Sequence, residues 1–234
     1  MMGEFLDTGR KKMQAGYAVV RRRAQWWLAL VVMTFMQALL AQPAPRAATA
    51  ATTKTVLVMG DSLSAGYGLG PNEGWVPLTA ARIAREKPGW KVVNASISGE
   101  TSAGGASRIG AQLQRLKPAV VVIELGANDG LRGLPLDQTR ANLEKMITAS
   151  QAAGARVLLL GMQMPPNLGR TYTEGFASLY SALARQYHTA FVPFFLQPIA
   201  GDRANFQADN LHPTTEVQPQ IRDFVWPALA PLLK

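Results

Sequence analysis

Five short apolar runs occur after residue 50, and longer amphipathic stretches separate them. The runs are continuous rather than alternating, a pattern typical of strands that are covered on both faces of a sheet. We therefore expect five strands, over residues 56–59, 92–95, 120–125, 157–160 and 191–194.

The stretches between these runs repeat apolar positions at helical spacing. The spacing predicts helices over residues 75–86, 103–116, 136–153, 172–187 and 214–233. Strands that alternate with helices predict an α/β fold, in which a parallel sheet carries helices on both faces. The expected architecture is a three-layer α/β/α sandwich with five parallel strands.

The first 50 residues follow a different pattern. A basic stretch that includes residues 21–23 precedes an uncharged apolar run of fifteen residues, 26–40, and then small residues and proline. This is the order of a signal peptide, and the run is shorter than the roughly 20 residues of a membrane span. We expect a signal peptide over residues 1–50, cleaved after about residue 41 or 50, and one domain over 51–234. We therefore expect a periplasmic or secreted protein. The alternative is that the apolar run is retained as a membrane anchor.

Composition narrows the chemistry. The 234 residues include two histidines and no cysteine, which excludes disulfides and thiol nucleophiles. The net charge of +9 suits a nucleic-acid binder, but the first 50 residues carry +5 of it and the rest only +4. Because no basic stripe with interleaved aromatic residues is present, we expect no nucleic-acid partner. The carboxylates lack metal-ligand spacing, so we expect neither a metal nor a cofactor.

The residues after each apolar run are candidate site residues, because ligands of open parallel sheets bind outside the carboxyl ends of the strands. The glycines near Gly66 lack the spacing of phosphate-binding loops, and Ser62 lacks the second glycine of a G-x-S-x-G turn. The segments that follow the first four runs, and the one before the last helix, are GDSLS (60–64), SISGET (96–101), GANDG (126–130), MQMPPN (162–167) and DNLHP (209–213).

Ser62, Asp209 and His212 are the side chains suited to acyl transfer. A serine hydroxyl is a poor nucleophile unless a base such as histidine takes its proton, and that histidine needs a carboxylate to fix its tautomer. Asp209 and His212 lie three residues apart on one predicted turn. Candidate oxyanion donors are the N–H groups of Ser62 and Gly99 and the side-chain amide of Asn128. Asp61 and Asp129 are interpreted as scaffolding, and Glu124 as a structural hydrogen-bonding group.

The segments GDSLSAGYG, NASISGETS, GANDGLRG and DNLHP resemble blocks I, II, III and V of the SGNH hydrolases, also called the GDSL family. The resemblance covers most of the chain after about Thr55. It is closest to the secreted esterases of the thioesterase I, lysophospholipase L1 and arylesterase type. It implies a flavodoxin-like sheet, Ser62 as nucleophile, Asp209 and His212 as the rest of a triad, and Gly99 and Asn128 as oxyanion donors.

Ala127 departs from this pattern, because many relatives have glycine at that position. The added methyl group is small and leaves the Asn128 amide available, so we expect only a slight effect on catalysis through the local turn.

The expected function is hydrolysis of carboxylic esters and thioesters by an exported serine esterase. Four residues in the loops after the third and fourth strands are candidates for the wall of an acyl groove: Leu131, Met164, Pro165 and Pro166. The expected partner is a small acyl ester or a lysophospholipid, and a monomer is expected. A carbohydrate O-deacetylase and a non-catalytic lipid- or glycan-binding domain are the alternatives.

Overall fold

The computed structural model describes residues 53–234, so the predicted signal peptide and both cleavage positions lie outside the described residues. The strands are β1 (Lys54–Gly60), β2 (Trp90–Asn94), β3 (Val120–Glu124), β4 (Arg156–Leu160) and β5 (Ala190–Val192). The helices are α1 (Ser62–Ala65), α2 (Trp75–Glu86), α3 (Ser102–Leu116), α4 (Ala127–Leu131), α5 (Leu136–Ala152), α6 (Arg170–Tyr187) and α7 (Gln218–Leu229).

All five strands are parallel and lie in the order β2-β1-β3-β4-β5. The chain first moves from β1 outward to β2 and then crosses back to β3 on the other side of β1. The carboxyl ends of β1 and β3 therefore flank the point where the strand order reverses, which is where ligands of such sheets bind. The expectation of an α/β fold with a flavodoxin-like five-stranded sheet is confirmed.

The helices form two separate layers. Helices α3, α5 and α6 pack side by side, whereas α2 packs against α7. The longer helices each bury an apolar stripe, as Ile109 and Leu113 of α3 and Leu143, Met146 and Ile147 of α5 show.

The core lies on both faces of the sheet. Every residue of β3 is buried, and residues 55–60 of β1 are buried as well. The largest fully buried side chains include Trp75, Phe176, Tyr180 and Phe195. Within residues 53–234, no helix is long and apolar enough to cross a membrane.

The observed elements differ from the predicted ones mainly at their ends. Strand β5 ends at Val192 because Pro193 follows, which has no backbone N–H for a ladder. The predicted last helix is interrupted, since 3₁₀ turns at Thr215–Val217 and Ala230–Leu232 flank α7. Helices α1 and α4 were predicted as loops; they are only four and five residues long, too short for a periodic signal.

Candidate active site

Ser62 lies where β1 ends and α1 begins. The carboxylate of Asp61 caps this short helix, accepting a hydrogen bond from the N–H of Leu63 at 3.0 Å. Gly66 ends it in the left-handed conformation, with φ of 79°. The hydroxyl of Ser62 therefore stands on a tight turn at the carboxyl edge of the sheet.

The loop before α7 brings His212 to this hydroxyl. The Nε2 atom of His212 lies 2.8 Å from Ser62 Oγ, and its Nδ1 atom lies 2.6 Å from Asp209 Oδ2. The other oxygen of Asp209 accepts the N–H groups of Leu211 and His212, at 2.9 and 3.0 Å. The loop itself is held by a bridge between Phe206 and Pro213. The three side chains thus form one continuous hydrogen-bonded row.

The carboxylate of Asp209 is strongly stabilised in its charged form. Its hydrogen bond with the His212 ring, and then those from the N–H groups of His212 and Leu211, lower the pKa of Asp209 to about 2. Asp209 is therefore ionised near neutral pH. An ionised carboxylate at Nδ1 keeps the ring proton there and leaves Nε2 free to accept a proton from Ser62.

Three hydrogen-bond donors border Ser62. Gly99 has a φ of 79°, a backbone conformation that favours glycine. Among the described residues, neither its N–H nor that of Ser62 has a hydrogen-bond acceptor. Asn128, on α4, has its side-chain amide 3.1 Å from Asp61 Oδ2 and 3.0 Å from the carbonyl oxygen of Glu100. The predicted oxyanion residues all line the same cavity.

Helix α4 is held in place by Asp129. Its buried carboxylate accepts the N–H of Ser102 at 2.8 Å, the hydroxyl of Ser102 at 2.5 Å and the hydroxyl of Thr139 at 3.3 Å. These bonds join α4 to the starts of α3 and α5. They fix the Asn128 helix relative to the loop that carries Gly99, as the interpretation of Asp129 as scaffolding predicts.

Ala127 is the first residue of α4 and is not one of the non-glycine residues with a positive φ. The residue that must be glycine is Gly126, whose φ is 116°. A Cβ atom there would overlap the hydroxyl of Tyr180, which donates to the carbonyl of Leu125 at 2.9 Å.

A cavity of about 470 Å³ opens beside Ser62, within the size range of small-molecule sites. Leu131, Met164 and Pro165 line it, as predicted. Pro166 is not among the lining residues; it begins the turn Pro166–Leu168, and its side chain is exposed. The apolar lining residues that the sequence did not single out are Leu63, Tyr67, Met162, Phe194, Leu196, Ala200, Phe206 and Leu211.

The sequence could have indicated two of these lining residues. Phe194 and Leu196 follow β5, so the strand-end argument extends to them. Tyr67 and Leu211 lie inside recognised segments, but the turn geometry decides that they face the cavity. The ring of Tyr67 packs against that of His212, with centroids 4.5 Å apart.

The chemistry available here is acyl transfer. The Ser62 hydroxyl, the His212 imidazole and the Asp209 carboxylate are contiguous, and Gly99 and Asn128 line the same cavity as Ser62. Within residues 53–234, no group of three or more His, Asp or Glu side chains is arranged to hold a metal ion.

Comparisons with known proteins agree with this geometry. The profile of the GDSL-like lipase/acylhydrolase family matches residues 58–218. The chain belongs to this family. It is therefore a hydrolase of acyl esters, as the resemblance predicted.

Named relatives cover nearly the whole described domain. The chain is 52% identical over 183 residues to the esterase TesA of Pseudomonas aeruginosa, covering 78% of this chain and 91% of that one. It is 39% identical over 184 residues to the thioesterase 1/protease 1/lysophospholipase L1 of Escherichia coli K12, covering 79% and 87%. A crystal structure of TesA, 52% identical, superposes with a TM-score of 0.74 over 76% of this chain and 99% of that one.

Proposed function

We propose that the chain is an exported serine esterase that hydrolyses carboxylic esters and thioesters through an acyl-enzyme on Ser62. The observation that carries the proposal is the row Ser62–His212–Asp209, with heavy-atom distances of 2.8 and 2.6 Å. Family membership supports an enzyme over a non-catalytic lipid- or glycan-binding domain on the same fold.

In the first half-reaction, Ser62 Oγ attacks the substrate carbonyl while His212 Nε2 takes the hydroxyl proton. The charge on the carbonyl oxygen is stabilised by the N–H groups of Ser62 and Gly99 and by the amide of Asn128. His212 then gives its proton to the leaving alcohol or thiol, and the acyl-enzyme remains. In the second half-reaction His212 activates a water molecule, which releases the acid and frees Ser62.

The cavity favours an apolar acyl group. Most of its wall is formed by methionine, leucine, phenylalanine, tyrosine, alanine and proline side chains, with Gln163 and Asn210 among the polar lining residues. In the described part of the chain, four large apolar side chains are exposed to solvent. Three of them, Tyr67, Leu131 and Leu211, line this cavity. Since the first 50 residues have the pattern of a signal peptide, we propose that the enzyme acts outside the cytoplasm on lipid-derived esters such as lysophospholipids.

A chain-length series of p-nitrophenyl esters tests this proposal, with wild type, Ser62→Ala and Ser107→Ala assayed side by side. Ser107 is an exposed serine on α3, so its replacement is the matched control. We expect hydrolysis that is lost with Ser62→Ala, unchanged with Ser107→Ala, and faster on longer acyl chains than on acetate. Full activity in a folded Ser62→Ala protein would reject the mechanism. Preference for acetylated carbohydrates would instead indicate the O-deacetylase alternative.

A further inference from the structure

Two carboxyl groups are buried directly behind Ser62. Asp61 is 1% exposed and Glu124 is 2% exposed, and they follow or end the neighbouring strands β1 and β3. Gly60 pairs with Glu124 in the sheet register, and a Cβ atom on Gly60 would lie 2.8 Å from Glu124 Oε2. The chain therefore leaves space for the Glu124 carboxyl under the Ser62 turn.

This burial is costly, because no Lys or Arg among residues 53–234 forms an ion pair with either carboxyl group. The other titratable groups that act on Asp61 or face it are Asp129 of α4, Tyr180 of α6 and His212. Only the imidazolium form of His212 offers a positive charge. A buried acid without a neighbouring cation needs hydrogen bonds to compensate for the loss of hydration. The partners in these hydrogen bonds show which parts of the site each acid holds.

Glu124 bonds to the turn that carries Ser62. The hydroxyl of Ser64 donates to Glu124 Oε2 at 2.7 Å, and the backbone N–H groups of Asp61 and Ser64 also face this carboxyl. These groups lie on either side of Ser62 in the sequence. Glu124 thus lies beneath the Ser62 turn, and its hydrogen bonds connect that turn to the end of β3.

Asp61 bonds to the amide of Asn128. Both amide hydrogens of Asn128 are taken, one by Asp61 Oδ2 and one by the carbonyl of Glu100. Because the carbonyl oxygen can only accept, this pairing also decides which end of the side chain is the nitrogen. The plane of the amide is therefore fixed before any substrate binds, and an oxyanion must share one of the two hydrogens.

We propose that Asp61 and Glu124 are positioning residues: Glu124 sets the Ser62 turn, and Asp61 aims the amide of Asn128 at the oxyanion. The inference rests on the proposed serine-esterase function and deepens it. It links Asn128, the proposed oxyanion donor, and Ser62, the proposed nucleophile, through two neighbouring buried acids. Burial raises the pKa of Asp61 to about 6 and that of Glu124 well above its ordinary value. Asp61 therefore changes its charge near pH 6.

Asp61→Asn is the first test. An introduced amide can still accept the N–H of Leu63, but it then turns an NH₂ group toward Asn128, so one of the two bonds is lost. We expect kcat to fall by about tenfold to a hundredfold, the size of a misplaced catalytic group, with KM nearly unchanged. We also expect the acid limb of kcat/KM to shift, because the variant has no titrating group at position 61, where the wild-type carboxyl has a pKa of about 6.

Asp202→Asn is the matched control. Asp202 caps the turn Arg203–Asn205 with the same bond geometry, accepting the N–H of Ala204 at 2.9 Å, and it is exposed. A lost cap alone would affect both variants similarly, whereas only Asp61 contacts Asn128. The control should keep the wild-type kcat and pH profile.

Glu124→Gln and Glu124→Ala test the proposed role of Glu124 in setting the Ser62 turn. The glutamine keeps the shape, and the Ser64 hydroxyl can reverse and accept from it, so kcat should stay within about fivefold. The alanine removes every acceptor beneath the turn and should lower kcat by about a hundredfold in molecules that remain folded. Labelling with a phosphonate ester counts the folded active sites in each preparation, so that unfolding is not read as slow turnover.

The outcomes separate the inference from the function on which it rests. Wild-type kcat with an unshifted acid limb in Asp61→Asn, or wild-type kcat in Glu124→Ala, overturns the inference alone. Hydrolysis that survives Ser62→Ala overturns the proposed function and the inference with it.

Discussion

At the scale of single residues, the three donors beside Ser62 differ in how they are occupied. The N–H groups of Ser62 and Gly99 have no acceptor among the described residues, whereas both amide hydrogens of Asn128 are bonded within the protein. The first two are free to bind an oxyanion at once. To bind an oxyanion, the Asn128 amide must exchange or share its hydrogen bond to Asp61 or to Glu100. Its contribution to oxyanion binding therefore depends on these two neighbours.

Asn128→Ala is expected to lower kcat by about 10²–10³, the usual effect of removing one oxyanion donor, with a smaller effect on KM. Steady-state kinetics on a p-nitrophenyl ester measures it. Asn142→Ala is a suitable control, because Asn142 also donates its amide, to Ser102 Oγ at 3.1 Å, but does not line the cavity. Equal losses in both variants would argue against a donor role for Asn128.

The buried Asp61 carboxyl also makes stability depend on pH. Its pKa is raised to about 6 by burial, against an ordinary value of 3.8. Between these values the folded protein binds a proton that the unfolded chain does not, so this group lowers the free energy of unfolding as pH rises from about 4 to 6. The loss amounts to about 2–3 kcal/mol.

Asp61→Asn removes this titration. The difference in free energy of unfolding, wild type minus variant, should therefore fall between pH 4 and pH 6.5 and be flat at higher pH. Urea denaturation at a series of pH values measures it. A difference that rises over the same interval would mean that Asp61 is favourably charged in the folded state.

At the scale of elements, the site is built by two very short helices that follow neighbouring strands. Helix α1 presents Ser62 and helix α4 presents Asn128, and a positive-φ glycine borders each of them. Gly66 ends α1 in open space, but Gly126 precedes α4 against Tyr180. The direction of α4 therefore depends on the packing of Gly126.

Gly126→Ala should displace α4, because the new methyl group overlaps the Tyr180 hydroxyl and strains a left-handed φ. Gly154→Ala is the matched control, with a φ of 81° and no heavy atom within 4 Å of the added Cβ. We expect the control to cost about 1–2 kcal/mol of stability and Gly126→Ala about 1–3 kcal/mol more. Only Gly126→Ala should also lower kcat. Similar unfolding energies and rates for the two variants would contradict this account.

The elements also show what the sequence could predict. Strands and long helices were predictable because each is long enough to repeat its apolar pattern, and α2 begins and ends as predicted. Helices α1 and α4 were not, because their form depends on caps and on contacts with distant residues. The chemistry of Ser62, Asp209 and His212 was readable from the motifs. The bond from Asp61 to Asn128, by contrast, joins residues 67 positions apart and requires the sheet register.

At the scale of the whole molecule, the core and the site belong to one continuous unit. The buried apolar residues run from Val56 to Leu233 without a second core in the described part of the chain. Residues 51–234 carry a net charge of +4, whereas the first 50 carry +5 with an apolar run. The stability and the chemistry are thus expected from residues 51–234 alone.

A chain that begins at Ala51 should therefore fold and hydrolyse esters as the full-length protein does. The physical reason is that the five strands, the lining residues of the cavity and the Ser62–His212–Asp209 row that the structure describes all belong to residues 54–234. Thermal unfolding and kcat/KM of the two proteins provide the comparison. A lower unfolding temperature or a lost activity in the shorter chain would mean that the first 50 residues contribute to the domain.

N-terminal sequencing of the exported protein then distinguishes a cleaved signal peptide from a retained anchor. A start after residue 41 or 50 indicates a cleaved signal peptide, and an uncut chain in the membrane fraction indicates a retained anchor.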